Sequence, residues 1–79
     1  MNAELIVRFR AGVPESEARA QVEALGCTIR RRMRDDSPDI VTLLIRGTDD
    51  GIARARAVLS AEPKVDLVED NAGGYRALE

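Results

Sequence analysis

The fold of this 79-residue chain is decided by residues 40–50, which have the sequence IVTLLIRGTDD. The apolar and largely β-branched run from Ile40 to Ile45 predicts a central β-strand that is covered on at least one face. Thr48 follows as a helix N-cap with two aspartates behind it. A helix is therefore expected to begin almost directly after this strand.

The residues before this stretch predict two further strands and another helix. Residues 5–10 alternate in the manner of a strand. A helix is expected from Pro14 to Leu25, with Gly26 as its left-handed stop. Residues 27–34 alternate again, which predicts a second strand with one face almost wholly basic or polar and an antiparallel pairing with the strand that follows it.

The residues after Thr48 complete the order βαββαβ. Ile52, Ala55 and Leu59 form a narrow apolar stripe on a helix that should end near Glu62, and residues 65–68 predict a fourth strand. Right-handed crossovers between these elements favour an α+β, ferredoxin-like sandwich, with a four-stranded antiparallel sheet and both helices on one face. We expect a single domain over residues 1–79, with a folded core in 1–70 and an extended tail in 71–79.

The composition argues against an enzyme or a metal protein. The chain has no histidine, a single cysteine and a formal net charge of -2. Without histidine, the commonest general base and the commonest metal ligand are both missing, and we expect Cys27 to be a buried spectator thiol. Asp35, Asp36 and Asp39 lack the spacing of a calcium loop and are interpreted as turn formers. We therefore predict no catalytic residue, no metal and no cofactor.

The arginines around the second strand raise the question of nucleic acid, because an open four-stranded sheet is also the platform of RNA-recognition motifs. The stacking aromatics of such a platform are missing, since Phe9 and Tyr75 are the only aromatic residues. We predict no nucleic-acid partner and interpret the arginines as protection of an edge strand.

The apolar run at the start stops after three residues, so neither a signal peptide nor a membrane partner is expected. A cytoplasmic location follows, or secretion if the chain is a fragment of a protease precursor.

The predicted sheet has one face that the helices do not cover. If Leu5, Val7 and Phe9 face the helices, neighbouring side chains point the other way. Apolar groups on that face would meet water, either as ordinary aliphatic surface of a small domain or as a partner-docking patch rimmed by Arg8, Arg30 and Arg32. The residues expected there are Ile6, Ile40, Thr42 and Leu44.

Three motifs together resemble the subtilisin propeptide and related peptidase inhibitor family. They are the opening strand LIVRFRAGV at residues 5–13, the helix end EALG at 23–26, and the closing strand VDLVED at 65–70. The resemblance covers residues 4 to about 75, with the three motifs in the family's order and spacing. It differs in the last acidic segment, where Asp70 follows Glu69 directly.

The resemblance implies a non-enzymatic inhibitor or folding chaperone of a subtilisin-like serine protease. The open sheet face, with Ile6, Arg8, Ile40, Thr42 and Leu44, would pack on two surface helices of the enzyme. Carboxylates just after the last strand, here Glu69 and Asp70, would accept hydrogen bonds from free backbone donors where those helices begin. The tail would enter the active-site cleft through Asn71, Ala72, Gly73, Gly74 and Tyr75.

Another class of function remains open. The same fold could be a regulatory interaction module that binds a small ligand as ACT domains do, or that forms a homodimer through its sheet. A sheet-mediated homodimer would bury the face that a protease needs. The state of association of the purified chain therefore separates these possibilities.

Overall fold

The computed structural model describes residues 2–34 and 37–71. Its elements follow the predicted βαββαβ order. They are β1 (Asn2–Phe9), α1 (Glu15–Ala24), β2 (Thr28–Met33), β3 (Thr42–Thr48), α2 (Asp49–Ser60) and β4 (Val65–Asp70). β3 begins two residues later than predicted, because the backbone N–H of Ile40 donates to the carbonyl of Ser37 in a turn.

The four strands form one antiparallel sheet in the order β2-β3-β1-β4. β1 and β3 are the central strands, and β2 and β4 lie at the two edges. The arrangement is an α+β fold consistent with the ferredoxin-like sandwich expected from the element order. The predicted antiparallel pairing of β2 with β3 is confirmed.

Both helices pack on the same face of the sheet. α1 packs mainly against β2, whereas α2 packs against β1, β3 and β4. The core between helices and sheet contains the residues predicted to point inward from the central strands. Its members include Leu5, Val7, Phe9, Val41, Leu43 and Ile45 from the sheet side, with Ala18, Val22, Ile52, Ala55 and Leu59 from the helices.

The helix boundaries follow local chemistry. Thr48 caps α2 as predicted, with its hydroxyl oxygen accepting a hydrogen bond from the backbone N–H of Gly51 at 3.0 Å. Pro14 has extended backbone angles and precedes α1 as its N-cap, so the helix begins one residue later than expected. Gly26 has a φ of 80°, the left-handed conformation predicted for the stop of α1.

A β-bulge in β2 overturns the predicted alternation of that strand. Ile29 lies opposite Ile45 and Arg31 lies opposite Leu44, so Arg30 is the extra residue. Beyond the bulge every side chain changes face relative to the prediction, because successive residues of a strand alternate. The face predicted as basic therefore loses Arg32 and gains Arg31 and Met33, while the helix side keeps Ile29.

The bulge decides the positions of two residues in particular. Arg32 lies opposite Leu43, on the helix side, where its Nη1 donates to Glu15 Oε1 of α1 at 2.8 Å. Met33 lies opposite Thr42, away from the helices.

Candidate docking face

The sheet surface turned away from the helices, called here the open face, consists of three rows of side chains, of which two cross all four strands and the third crosses β2, β3 and β1. The strand registers define these rows, since residues directly opposite one another share a face. From β2 to β4, the first row is Met33, Thr42, Arg8 and Leu67; the middle row is Arg31, Leu44, Ile6 and Glu69; the third row is Thr28, Arg46 and Glu4, with Asn71 next to Glu4.

The predicted apolar residues lie on the open face, but the expectation that they meet water is wrong. Ile6 and Thr42 are each 8 % exposed and Leu44 is fully buried. They occupy the two central strands, where neighbours flank them on both sides. Arginine stems in the same rows can pack along apolar surface while their charged ends stay in water. The half-buried apolar residues of this face are instead Met33 and Leu67, which the sequence analysis did not assign to it.

Two of the predicted rim and face residues lie elsewhere. Arg32 belongs to the helix side because of the bulge, so it is not part of the rim. Ile40 is half-buried and precedes β3, so no strand register places it on the face. Arg8 and Arg30 do belong to the open face, and Arg8 Nη2 pairs with Asp66 Oδ2 at 3.2 Å.

A polar network spans the third row and the end of β4. Arg30 Nη1 donates to Glu4 Oε2 at 2.7 Å, although the two residues lie on strands separated by β3. Asn71 Nδ2 donates to Glu4 Oε1 at 2.8 Å from the opposite side. The hydrogen bond from Arg30 holds the pKa of Glu4 below its ordinary value of 4.5, against the opposing effect of burial. The carboxylate therefore stays ionised near neutral pH.

Three buried polar atoms of the open face have no hydrogen-bond partner among the described residues. They are Arg8 Nε, Thr42 Oγ1 and Asn71 Oδ1. Arg8 and Thr42 lie directly opposite each other in the first row. A buried polar atom without a partner costs roughly 1–3 kcal/mol. Side chains that carry such a cost in the isolated chain are candidates to rearrange when another surface covers them.

The two acidic residues predicted to bind the partner do not act on the same face. Glu69 lies opposite Ile6 on the open face, whereas Asp70 lies opposite Leu5 on the helix side and pairs with Arg56 of α2. The physical reason is the alternation of adjacent residues along a strand. Only Glu69 can meet a molecule seated on the open face.

The start of the tail is held by the sheet. The backbone N–H of Asn71 donates to the carbonyl oxygen of Glu4 at 3.1 Å, in addition to the side-chain bond. Four residues predicted to enter a protease cleft, namely Ala72, Gly73, Gly74 and Tyr75, lie outside the described residues.

Other kinds of site find little support within residues 2–34 and 37–71. Burial raises the pKa of the Cys27 thiol, which disfavours the reactive thiolate. No group of three or more potential metal ligands is found in this part of the chain. Neither described helix is long and apolar enough to cross a membrane. Depressions of about 220 and 230 Å³ beside Arg32 and Pro38 are smaller than the roughly 300–1,000 Å³ usual for ligand pockets.

Comparisons with protein-family models, with curated protein sequences and with solved structures give no match to this chain. What this chain binds is therefore inferred from the residues of its open face and from the three sequence motifs.

Proposed function

We propose that this chain is a non-enzymatic inhibitor and folding chaperone of a subtilisin-like serine protease, which docks through its open face and places its carboxy-terminal tail in the active-site cleft. The observation that carries the proposal is the open face itself. Both helices pack on the opposite side of the sheet, so the four strands present one broad surface, on which Met33 and Leu67 are the partly exposed apolar residues.

The distribution of polarity on this face suits docking against a protein. Leu44 and Ile6 are buried, so the apolar contacts available to a partner are the half-buried Met33 and Leu67 on the two edge strands. Charged groups, among them Arg8 and Glu69, lie beside these residues, and protein interfaces combine apolar and polar contacts in this way. Two parallel helices of a protease would meet such a surface along its strands.

The start of the tail also fits the proposal. β4 is an edge strand, and the bonds of Asn71 to Glu4 fix the point at which residues 72–79 begin. An extended segment that continues from a fixed edge can pair by backbone hydrogen bonds with the rim of a cleft. Its alternate side chains would then fill the specificity pockets.

Of the two acidic residues predicted to contact the protease, Glu69 is the one that we include in this proposal. Glu69 lies on the open face and has no ion pair with another described residue. It can accept hydrogen bonds from free backbone donors at the start of a partner helix. Asp70 is excluded from this role because it points toward α2.

Titration against several subtilisin-like proteases tests the proposal, with hydrolysis of a small chromogenic peptide as the readout. We expect inhibition by the full chain that substrate competes away. A chain ending at Asn71 keeps every described element and is the matched control, which should not block the cleft. Absence of inhibition across all the proteases, by a chain shown to be folded, would refute the proposed function.

A further inference from the structure

The carboxylate of Glu4 on β1 binds groups from both sides of the open face. Arg30 Nη1 on β2 donates to Glu4 Oε2 at 2.7 Å, and Asn71 Nδ2, directly after β4, donates to Glu4 Oε1 at 2.8 Å. Arg46 on β3 adds an ion-pair contact of 3.9 Å between its Nε and Glu4 Oε2. One side chain therefore contacts groups from β2, from β3 and from the residue that follows β4.

Glu4 is an attachment point inside the chain rather than a contact for a partner. Its side chain is only 9 % exposed, and both of its carboxylate oxygens already accept hydrogen bonds. Hydrogen bonds to a charged group are stronger than those between neutral groups, and the loss of one leaves a mostly buried charge less well satisfied. The sheet therefore holds this carboxylate in one orientation.

Asn71 is attached to Glu4 at two points. Its backbone N–H donates to the carbonyl oxygen of Glu4 at 3.1 Å, and its side-chain amide donates to the carboxylate of the same residue. A single hydrogen bond would fix the position of Asn71 but would leave the residue free to rotate about that bond. Because two bonds restrict both, Glu4 orients the residue from which the tail, residues 72–79, continues.

We propose that Glu4 is a positioning residue, which acts through Asn71 to direct the tail from the open face into the protease cleft. This inference rests on the proposed function. A tail whose origin is fixed relative to the docking face loses less conformational freedom when it enters the cleft, and its effective concentration there is higher. The attachment to Glu4 therefore strengthens the part of the affinity that depends on the tail, and not the part that comes from the open face.

Hydrogen exchange of the backbone amide of residue 71, followed by NMR without any protease, tests the attachment itself. Asn71→Ala keeps the backbone bond to Glu4 and removes the side-chain bond. We expect this amide to exchange roughly three- to tenfold faster in the variant, after correction for the intrinsic rates of the two residues. Unchanged exchange would show that the side-chain bond does not hold Asn71 and would overturn the proposal.

A comparison of four chains tests the positioning role. The full chain and a chain of residues 1–71 are each prepared with asparagine or alanine at position 71. Their binding is measured to a protease that the full chain inhibits, with the catalytic serine of that protease replaced by alanine so that nothing is cut. Asn71→Ala should weaken binding of the full chain roughly three- to tenfold and should leave binding of the 1–71 chain unchanged, because that chain has no tail to direct.

The same comparison excludes a merely structural role, since loss of stability alone would weaken both chain lengths equally. Gln21→Ala removes an amide from α1, on the other side of the sheet, and is the matched control. Glu4→Gln keeps an oxygen that can accept from Asn71, so it should retain more of the tail-dependent affinity than Glu4→Ala. Urea unfolding establishes that every variant is folded.

The outcomes separate this inference from the function on which it rests. Equal weakening of the two chain lengths by Asn71→Ala would overturn the positioning role and would leave protease inhibition intact. Absence of inhibition by the original full chain would refute the proposed function, and the positioning role with it.

Discussion

Arg30 on edge strand β2 reaches across β3 to donate a hydrogen bond to Glu4 on β1, at 2.7 Å. Arg30 is the extra residue at the bulge of the β2 ladder. The side chain of Glu4 is only 9 % exposed, whereas that of Arg30 is 39 % exposed. This ion pair therefore links β2 to β1 across β3, and Asn71, directly after β4, donates to the same carboxylate.

Replacement of Arg30 by alanine should lower the free energy of unfolding by about 1–2 kcal/mol at neutral pH, because a mostly buried carboxylate loses a charge-assisted donor. Urea unfolding followed by circular dichroism measures this loss. Arg34→Ala removes an exposed arginine just beyond β2 and is the control. Equal losses in the two variants would contradict the structural role of the Arg30 contact.

The Arg30–Glu4 ion pair predicts that the free energy of unfolding depends on pH. The pKa of Glu4 is lower in the folded chain than its ordinary value of 4.5, so the ionised carboxylate stabilises the fold above that pH. This stabilisation is lost as the pH falls through the folded pKa. The stability difference between the original chain and Arg30→Ala should therefore shrink below pH 4.5. A difference that stays constant down to acidic pH would contradict the assignment to Glu4.

Thr42→Val should raise the free energy of unfolding by about 0.5–1 kcal/mol, because it removes a buried hydroxyl that has no partner among the described residues while keeping the shape of the side chain. The matched control is Thr48→Val, the same chemical change at the N-cap of α2. It should lower stability by about 1 kcal/mol through loss of the bond to Gly51. Thermal and urea unfolding of both variants check the opposite signs. Destabilisation by Thr42→Val would show that its hydroxyl is satisfied.

Leu44→Asp should unfold the chain, since the side chain is fully buried and a carboxylate there has no described partner. A loss of inhibition by the Leu44→Asp variant would therefore not distinguish a loss of docking from a loss of folding. Leu67→Asp, at a half-buried position on edge strand β4, should keep most of the stability and weaken contacts made by the open face. Unfolding and protease inhibition measured on the same samples test this separation. Retention of full inhibition by folded Leu67→Asp would argue against docking through this face.

Two truncated chains test the contribution of residues 72–79 separately from that of Asn71. A chain of residues 1–71 should unfold at the same urea concentration as the full chain and should lose protease inhibition. Removal of Asn71 as well should cost about 1–2 kcal/mol more, since both of its hydrogen bonds to Glu4 disappear. Equal stability of the two truncated chains would show that these bonds contribute nothing measurable.

Short-range patterns were sufficient to predict the architecture. Alternation in residues 5–10, the apolar run before Arg46 and the cap at Thr48 each act within a few residues, so the element order and the core-facing side of β1 and β3 could be derived. The antiparallel sheet then follows from general rules for connections between strands.

The bulge in β2 could not be predicted from alternation alone, yet one signal was present. Strict alternation from Ile29 to Met33 places Arg31 among the core residues, where a guanidinium group would need a partner. An insertion that turns Arg31 outward removes this conflict. The burial of Leu44 was also missed, because a strand pattern fixes the direction of a side chain and not what its neighbours cover.

The unequal contacts of the two helices have a consequence for hydrogen exchange. α2 spans three strands, while α1 packs mainly on edge strand β2 and buries only Ala18 and Val22 among its own residues. The amides of α1 and β2 should therefore exchange with solvent through local opening, well before those of α2 and the two middle strands, which require global unfolding.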